Sequence, residues 1–273
     1  MMKKHSFGIV QGRLTPSPRG RLQCFPRDNW RKEFRDASLL GYNFIEMIAD
    51  RRFNPKNPLW SSPGLKKIKD ACLRHNLQAY SVCNDFIISH SLVNEPNAEE
   101  QTMRLIGRSA LLGMKVLILP LFERSQINIL NYRRFLIPLR RIADASASKK
   151  IVICLETNLG AGEILRISKF FNHSNIKYVF DSGNRVVLKE DIYSDIKILK
   201  GLIGHIHIKD KDQAGDNVLL GTGKVNFLKL FRSLALIDYT GPYVFETTRG
   251  RDPLNTARYH KTLVEFFLNE ASK

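Results

Sequence analysis

Cysteine is scarce in this sequence: four residues in 273, Cys24, Cys72, Cys83 and Cys154, scattered and without a CxxC pair. That spacing excludes a disulfide-built scaffold and leaves four thiols that are expected to be reduced and mostly in the core. Long apolar stretches are missing too. None reaches the roughly 18 to 20 residues that a membrane span requires, and residues 1–6 pass into Phe7–Gln11 without a secretory apolar segment. A cytoplasmic chain with no membrane partner is the expectation. A glycine-rich turn is also absent after the first apolar run. The residues there are Gly12-Arg13-Leu14-Thr15-Pro16, which argues against a doubly wound dinucleotide-binding sheet. Acidic residues are in deficit, 26 against 43 Lys+Arg, for a formal charge of +17. The excess runs along nearly the whole chain, as in Lys66-Lys67, Arg133-Arg134, Arg140-Arg141 and Lys149-Lys150. It therefore marks either a solvated basic surface or an acidic ligand.

What is present is a regular alternation. Short runs of strand character stand at Phe7–Gln11, Asn43–Ile48, Gln78–Cys83, Lys115–Leu121, Ile151–Leu155, Lys177–Phe180, His205–Ile208 and Tyr243–Glu246. Between them lie stretches with apolar residues at helical spacing. One begins near Asp28 as N-cap and stops at Gly41, and one opens with Ser62-Pro63 as cap and first helical position. Others cover Ala98–Leu112, Ile129–Ala147 with a kink at Pro138, Gly162–Asn172, Ile192–Leu202, Phe227–Leu236 and Leu254–Asn269. Eight strands and eight helices with strand centres roughly 25 to 38 residues apart make a (β/α)8 TIM barrel, a single domain over residues 1–273 with no linker.

The last four strands each end on a metal-ligand type: Glu156 in Cys154-Leu155-Glu156-Thr157-Asn158, Asp181 in Phe180-Asp181-Ser182-Gly183-Asn184, His207 in His205-Ile206-His207-Ile208-Lys209-Asp210, and Glu246 in Phe245-Glu246-Thr247. A barrel gathers the C-terminal ends of its strands at one mouth, so these four converge although separated by 25, 26 and 39 residues. Any one of them alone would read as a helix cap, an arginine partner or a core histidine. Three carboxylates and one imidazole on consecutive strands suit one divalent ion of the Mn, Mg, Co or Zn kind, with Mn favoured. His205 and His207 face the same side of their strand, and only proximity to the strand end favours His207.

These residues resemble the xylose isomerase-like TIM barrels, a family of sugar and sugar-phosphate isomerases and epimerases of carbohydrate metabolism. The segments that carry the likeness are Leu155–Asn158, Phe180–Asn184, His205–Asp210, Leu220–Phe227 and Phe245–Thr247. The opening Gly8–Leu14 with Trp30, Glu33-Phe34 and Ile45-Glu46 resembles a branch associated with bacterial surface carbohydrate. The resemblance implies that Glu156, Asp181, His207 and Glu246 bind the ion and that Glu156 and Glu246 double as the acid/base pair. A carbonyl and its neighbouring hydroxyl chelated by such an ion have an acidified α proton, which a carboxylate removes to leave an enediolate. Return from the opposite face epimerises the carbon; return to the adjacent carbon isomerises aldose and ketose. Lys209 is a candidate for a substrate oxyanion, or for a salt bridge with Asp210 or Glu246.

The chain departs from the ketose 3-epimerase pattern, having Asn184 where those enzymes place a histidine, Gly162 in place of a glutamate and Gln213 in place of an arginine. With Arg13, Arg185 and Arg249 near the mouth, the expected partner is a small sugar, acidic or phosphorylated, contacted by Lys209, Arg13, Asn184, Arg249 and His90. Glu46 and Glu123 are further candidates for substrate hydroxyls or for loop capping. Two alternatives share the barrel. A class-II apurinic endonuclease would use the positive charge on DNA, but seven histidines, with Asn184 where one should repeat, are too few for its three-zinc cluster, so nucleic acid is not the expected partner. A non-catalytic sugar-binding barrel would tolerate loss of either glutamate, and both are present. A homo-oligomer is compatible with all three readings.

Overall fold

The computed structural model describes residues 5–16, 23–188 and 191–273. Residues 1–4, part of the stretch 1–6 read above as lacking a secretory segment, and residues 17–22 lie outside them. The first half of the chain runs β1 (Phe7–Val10), α1 (Trp30–Leu39), β2 (Phe44–Ala49), α2 (Ser62–Arg74), β3 (Ser81–Asn84), α3 (Phe86–Ser89), α4 (Pro96–Leu112) and β4 (Val116–Pro120). The second runs α5 (Leu136–Ala147), β5 (Val152–Glu156), α6 (Ala161–Phe171), β6 (Ile176–Asp181), α7 (Ser182–Val186), α8 (Ile192–Ile198), β7 (Ile203–Ile208), α9 (Phe227–Ala235), β8 (Tyr243–Phe245) and α10 (Pro253–Ala271). All eight strands pair in parallel and in chain order, and β1 closes on β8 through Phe7 opposite Tyr243. This is the expected (β/α)8 barrel.

Parallel strands covered on both faces read as unbroken apolar runs, and β1, β2, β3 and β4 are buried at every position. Alternate residues divide them between two layers. Val10, Phe44, Ile48 and Val244 form one small buried cluster and Cys83, Val116, Ile118, Cys154 and Val179 another; both are separate from the large cluster that joins the helices to the sheet, and both pack on Tyr80. Gly8 makes room for this packing, since a Cβ there would stand 2.3 Å from the Phe44 ring. Three of the four cysteines are buried and none of the four forms a disulfide, as expected.

Several element boundaries differ from the sequence reading, each for a local reason. α1 starts at Trp30, and Asp28 caps nothing because the chain is still turning there. Ser61, one residue earlier than expected, caps α2 through the Gly64 N–H, which places Pro63 inside the first turn. Pro138 falls in the first turn of α5, where its missing N–H has no intrahelical partner to lose, so it does not kink the helix; residues 132–135 form a separate 3₁₀ turn. The helix expected over Ile192–Leu202 is α8 followed by a 3₁₀ turn at Lys200–Leu202. The structure also adds α3 and α7, one turn each, at the mouth after β3 and β6, giving ten α-helices among the described residues where eight were expected.

Candidate metal and proton-transfer site

Glu156 and Asp181 are the last residues of β5 and β6, His207 is the penultimate residue of β7, and Glu246 follows β8 directly. Each offers one ligand atom, and these four atoms all lie within 4.8 Å of one another. His207 Nδ1 is 3.1 Å from Glu246 Oε2, 3.8 Å from Asp181 Oδ2 and 3.9 Å from Glu156 Oε1. The buried atoms Nδ1 of His207, Oδ2 of Asp181 and Oε2 of Glu246 thus converge on one point. Buried carboxylates gathered at one point require positive charge among them, and this arrangement fits a cation. Three oxygens and one imidazole nitrogen are the donor set that Mn, Mg, Co or Zn accept.

Lys209 follows two positions after His207 and so faces the same way. Its Nζ lies 2.8 Å from both Asp181 Oδ2 and Glu246 Oε2, which offsets part of the cluster's negative charge. Of the two partners proposed for its salt bridge, Glu246 is observed and Asp210 is not. Asp210 points the other way and clamps the following loop, accepting from the N–H groups of Gly221, Gly223 and Val225 at 3.0, 2.9 and 3.0 Å. Burial alone would discharge Lys209, but Asp181 and Glu246 outweigh it and hold the ammonium charged.

The two glutamates are chemically equivalent and electrostatically opposite. Burial first, and the neighbouring Glu246 second, push the Glu156 carboxyl well above the usual carboxylate range. Burial acts on Glu246 in the same direction, but Lys209, His207 and Arg13 outweigh it and hold that carboxyl well below its ordinary value. Arg13 Nη2 lies 3.3 Å from Glu246 Oε1. Asn184, at the start of α7, donates its side-chain N–H to Glu156 Oε1 at 3.1 Å and its backbone N–H to Asp181 Oδ1 at 2.7 Å. It thus reaches the cluster from the position where the ketose epimerase pattern has histidine.

These groups floor a cavity of about 920 Å³ lined by Glu156, Asn184, Lys209 and Glu246 together with Asp50, Arg51 and Asp85. Other expected contacts fall elsewhere. His90 is outside the lining; it stacks on Phe86 with ring centroids 4.0 Å apart and pairs with Glu95 at 3.1 Å. Arg249 is buried beneath the loop after β1, its Nε donating to the Gly12 carbonyl at 2.5 Å. The same loop is held by Glu33, which accepts from the N–H groups of Gly12 and Leu14, and Gly12 takes φ +86°, open to glycine. Arg185 is buried too, donating to the Leu159 carbonyl and paired with Asp195. Arg13 is 1% exposed and, among the described residues that line the cavity, donates to Glu246 and Gln23. Glu123 pairs with Arg51 at the rim.

Asp85 was not anticipated. It is buried and lines the cavity; Gln23 donates to both of its oxygens, at 3.1 and 3.0 Å, and Cys83 Sγ lies 3.2 Å from one of them. Burial pushes it up to about 6, with the Glu246 charge adding to the rise and the hydrogen bonds from Gln23 and Cys83 opposing it. The period-two series Ser81, Cys83, Asp85 was the available signal. Glu46, suggested as a contact for substrate hydroxyls, is instead wholly buried on β2 between His205 and His207, at 2.7 and 2.8 Å from their Nε2 atoms.

The family model described as xylose isomerase-like TIM barrel matches residues 34–269. The chain belongs to that family. Among curated relatives, L-ribulose-5-phosphate 3-epimerase UlaE of Shigella flexneri serotype 5b (strain 8401) is 24% identical over 231 residues, 80% of this chain and 81% of its own length. Among solved structures, an L-ribulose 3-epimerase superposes with TM-score 0.79 at 16% identity, covering 98% of this chain and 96% of its own. A xylose isomerase-like TIM barrel protein from Mycobacterium smegmatis in complex with magnesium gives 0.73 at 18% identity, covering 99% and 98%. The relatives of this family member named for an activity here are sugar epimerases, and no helix among its described residues is long and apolar enough to cross a membrane.

Proposed function

We propose that this protein is a divalent-metal-dependent isomerase that epimerises or isomerises a phosphorylated or acidic sugar through an enediolate. The observation that carries the reading is the cluster itself: Glu156, Asp181, His207 and Glu246 bring four ligand atoms within 4.8 Å of one another, and two of the four are glutamates able to transfer a proton. Carboxyl groups whose surroundings push them apart are the mark of an acid and a base working together. The surroundings push the two carboxyls apart, Glu246 down through Lys209, His207 and Arg13, Glu156 up through burial and Glu246, which favours Glu246 as the group that removes a proton and Glu156 as the one that delivers it. Glu156, Asp181, His207 and Glu246 would hold the ion, which would supply the positive charge that acidifies a proton next to a carbonyl. Lys209 lines the cavity and offers its ammonium to a substrate oxygen, and Asn184 holds Glu156 in place.

The cavity falls within the usual range of small-ligand sites, and Arg51 and Arg52 at its rim add the positive charge that an anionic sugar requires. The UlaE relatives, named for a ribulose 5-phosphate, agree with that choice. The test is to measure bound metal in purified protein, then incubate it in deuterated water with phosphorylated, acidic and neutral ketoses. Deuterium at a carbon next to the carbonyl, dependent on metal and greatest for an anionic ketose, is the expected result. Metal-loaded protein that exchanges no proton on any of these sugars defeats the reading.

A further inference from the structure

Beneath the four-residue cluster the barrel holds a second polar group that proton transfer does not use. Glu46 is fully buried on β2 between the inward-facing Phe44 and Ile48. Its Oε1 is 2.8 Å from His207 Nε2; its Oε2 is 2.7 Å from His205 Nε2 and accepts the Ser81 hydroxyl at 2.7 Å. An ionised carboxylate in such surroundings is costly unless its partners are fixed, so its presence calls for a gain elsewhere. That gain is visible at His207. One ring nitrogen is tied to Glu46; the other, Nδ1, faces Glu156, Asp181 and Glu246, with Glu246 Oε2 nearest at 3.1 Å. A half-turn of the ring would put carbon atoms where both nitrogens now stand and break the contact with Glu46.

We propose that Glu46 is a positioning residue that fixes the tautomer and ring orientation of His207, holding Nε2–H as a donor to its carboxylate and presenting Nδ1 as the single ligand atom, with His205 and Ser81 holding the carboxylate in turn. The inference rests on the metal reading above. Carboxylates behind metal-bound imidazoles contribute 10- to 100-fold in affinity in comparable arrangements. Glu46, His205 and His207 also meet the distance criterion for an ion of their own, but contacts of 2.7 and 2.8 Å that use both carboxylate oxygens are hydrogen-bond lengths.

The test uses cobalt(II) as probe on the whole chain, with calorimetric titration for affinity and proton NMR in water for the ring N–H of the bound imidazole. Wild type is expected to take one cobalt and to show one hyperfine-shifted, slowly exchanging N–H. Glu46→Gln, nearly isosteric, should bind cobalt 10- to 100-fold more weakly and lose the slow exchange; Ser81→Ala should speed the exchange with a smaller loss of affinity. Unchanged affinity and exchange in both variants overturn the proposal and leave the metal reading intact. Two cobalt ions in wild type and one in Glu46→Gln make Glu46 a ligand and also overturn it. Wild type that takes no cobalt overturns the metal reading and this inference together. If Glu46→Gln does not fold, Ser81→Ala and the wild-type N–H decide: a rapidly exchanging or absent signal in wild type ends the proposal.

Discussion

Glu156 and Glu246 differ in nothing but their neighbours. Changing Glu246 to Gln keeps its size and one oxygen donor but removes its ability to take a proton. Turnover is expected to fall by about 10² or more with metal still bound, as for loss of a positioned acid or base. Glu156→Gln should behave alike. In a two-base epimerase each variant still exchanges the substrate α proton with solvent from its intact side, so deuterium uptake without product is the expected signature. Turnover at the wild-type rate in either metal-loaded variant would remove that glutamate from the mechanism. These two residues, with Asp181 and His207, were legible in the sequence because each closes a strand and every strand of a barrel ends at the mouth. The partners of Lys209 were only half legible. Glu246 was anticipated, but Asp181 lies across a strand pairing that sequence distance does not reveal.

At the scale of elements, a buried histidine on α10 makes stability depend on pH. His260 is fully buried on that helix, and neither ring nitrogen has a hydrogen-bond partner among the described residues. Burial lowers its pKa from the ordinary 6.5 to about 4. The unfolded chain therefore takes up a proton first as pH falls: the stability is complete above pH 6.5, declines below it and levels off near pH 4. A shift of this size corresponds to about 3 kcal/mol in all. Urea unfolding at pH 7 and pH 5 should show wild type losing about 2 kcal/mol more than His260→Leu; equal losses would refute the assignment. The alternation of elements was readable because strand and helix periods differ, whereas α3, α7 and the Pro138 region were not. Single turns carry too few residues to show a period, and Pro inside a first turn looks the same in sequence as Pro at a kink.

On the proposed reading the molecule as a whole couples its fold to one ion. Three carboxylates, one imidazole and a lysine share a small buried volume, and a cation that binds only the folded chain stabilises it by mass action. At a concentration 100 times its Kd one divalent ion adds about 2.7 kcal/mol. Removing metal with a chelator should lower the Tm by roughly 5 to 10 °C, and readdition should restore it with one ion per chain. No change in Tm, or three ions per chain, would contradict a mononuclear site. The charge of +17 belongs to this scale also. Spread over the surface, it should produce weak duplex DNA binding that fades as salt rises from 50 to 200 mM, as expected for contacts to phosphates alone, with no incision at abasic sites. Metal-dependent incision would favour the endonuclease reading.

The amino-acid sequence determined the barrel and the four residues at its mouth, because both follow from local periods and from one rule of chain closure. Only the tertiary structure decided which basic residues serve the site. Arg13 and Arg249 are both next to the closing strands, yet Arg13 reaches Glu246 while Arg249 turns beneath the Gly12 loop, and His90 stacks on Phe86 outside the cavity. Long side chains reach in many directions from one backbone position, and only their packed neighbours choose among them. The same holds for Glu46: 159 residues separate it from His205 and 161 from His207, and no local pattern could join them. Closure of the barrel sets all three on its inner face, and the cost of burying an unpaired carboxylate there makes their contact obligatory.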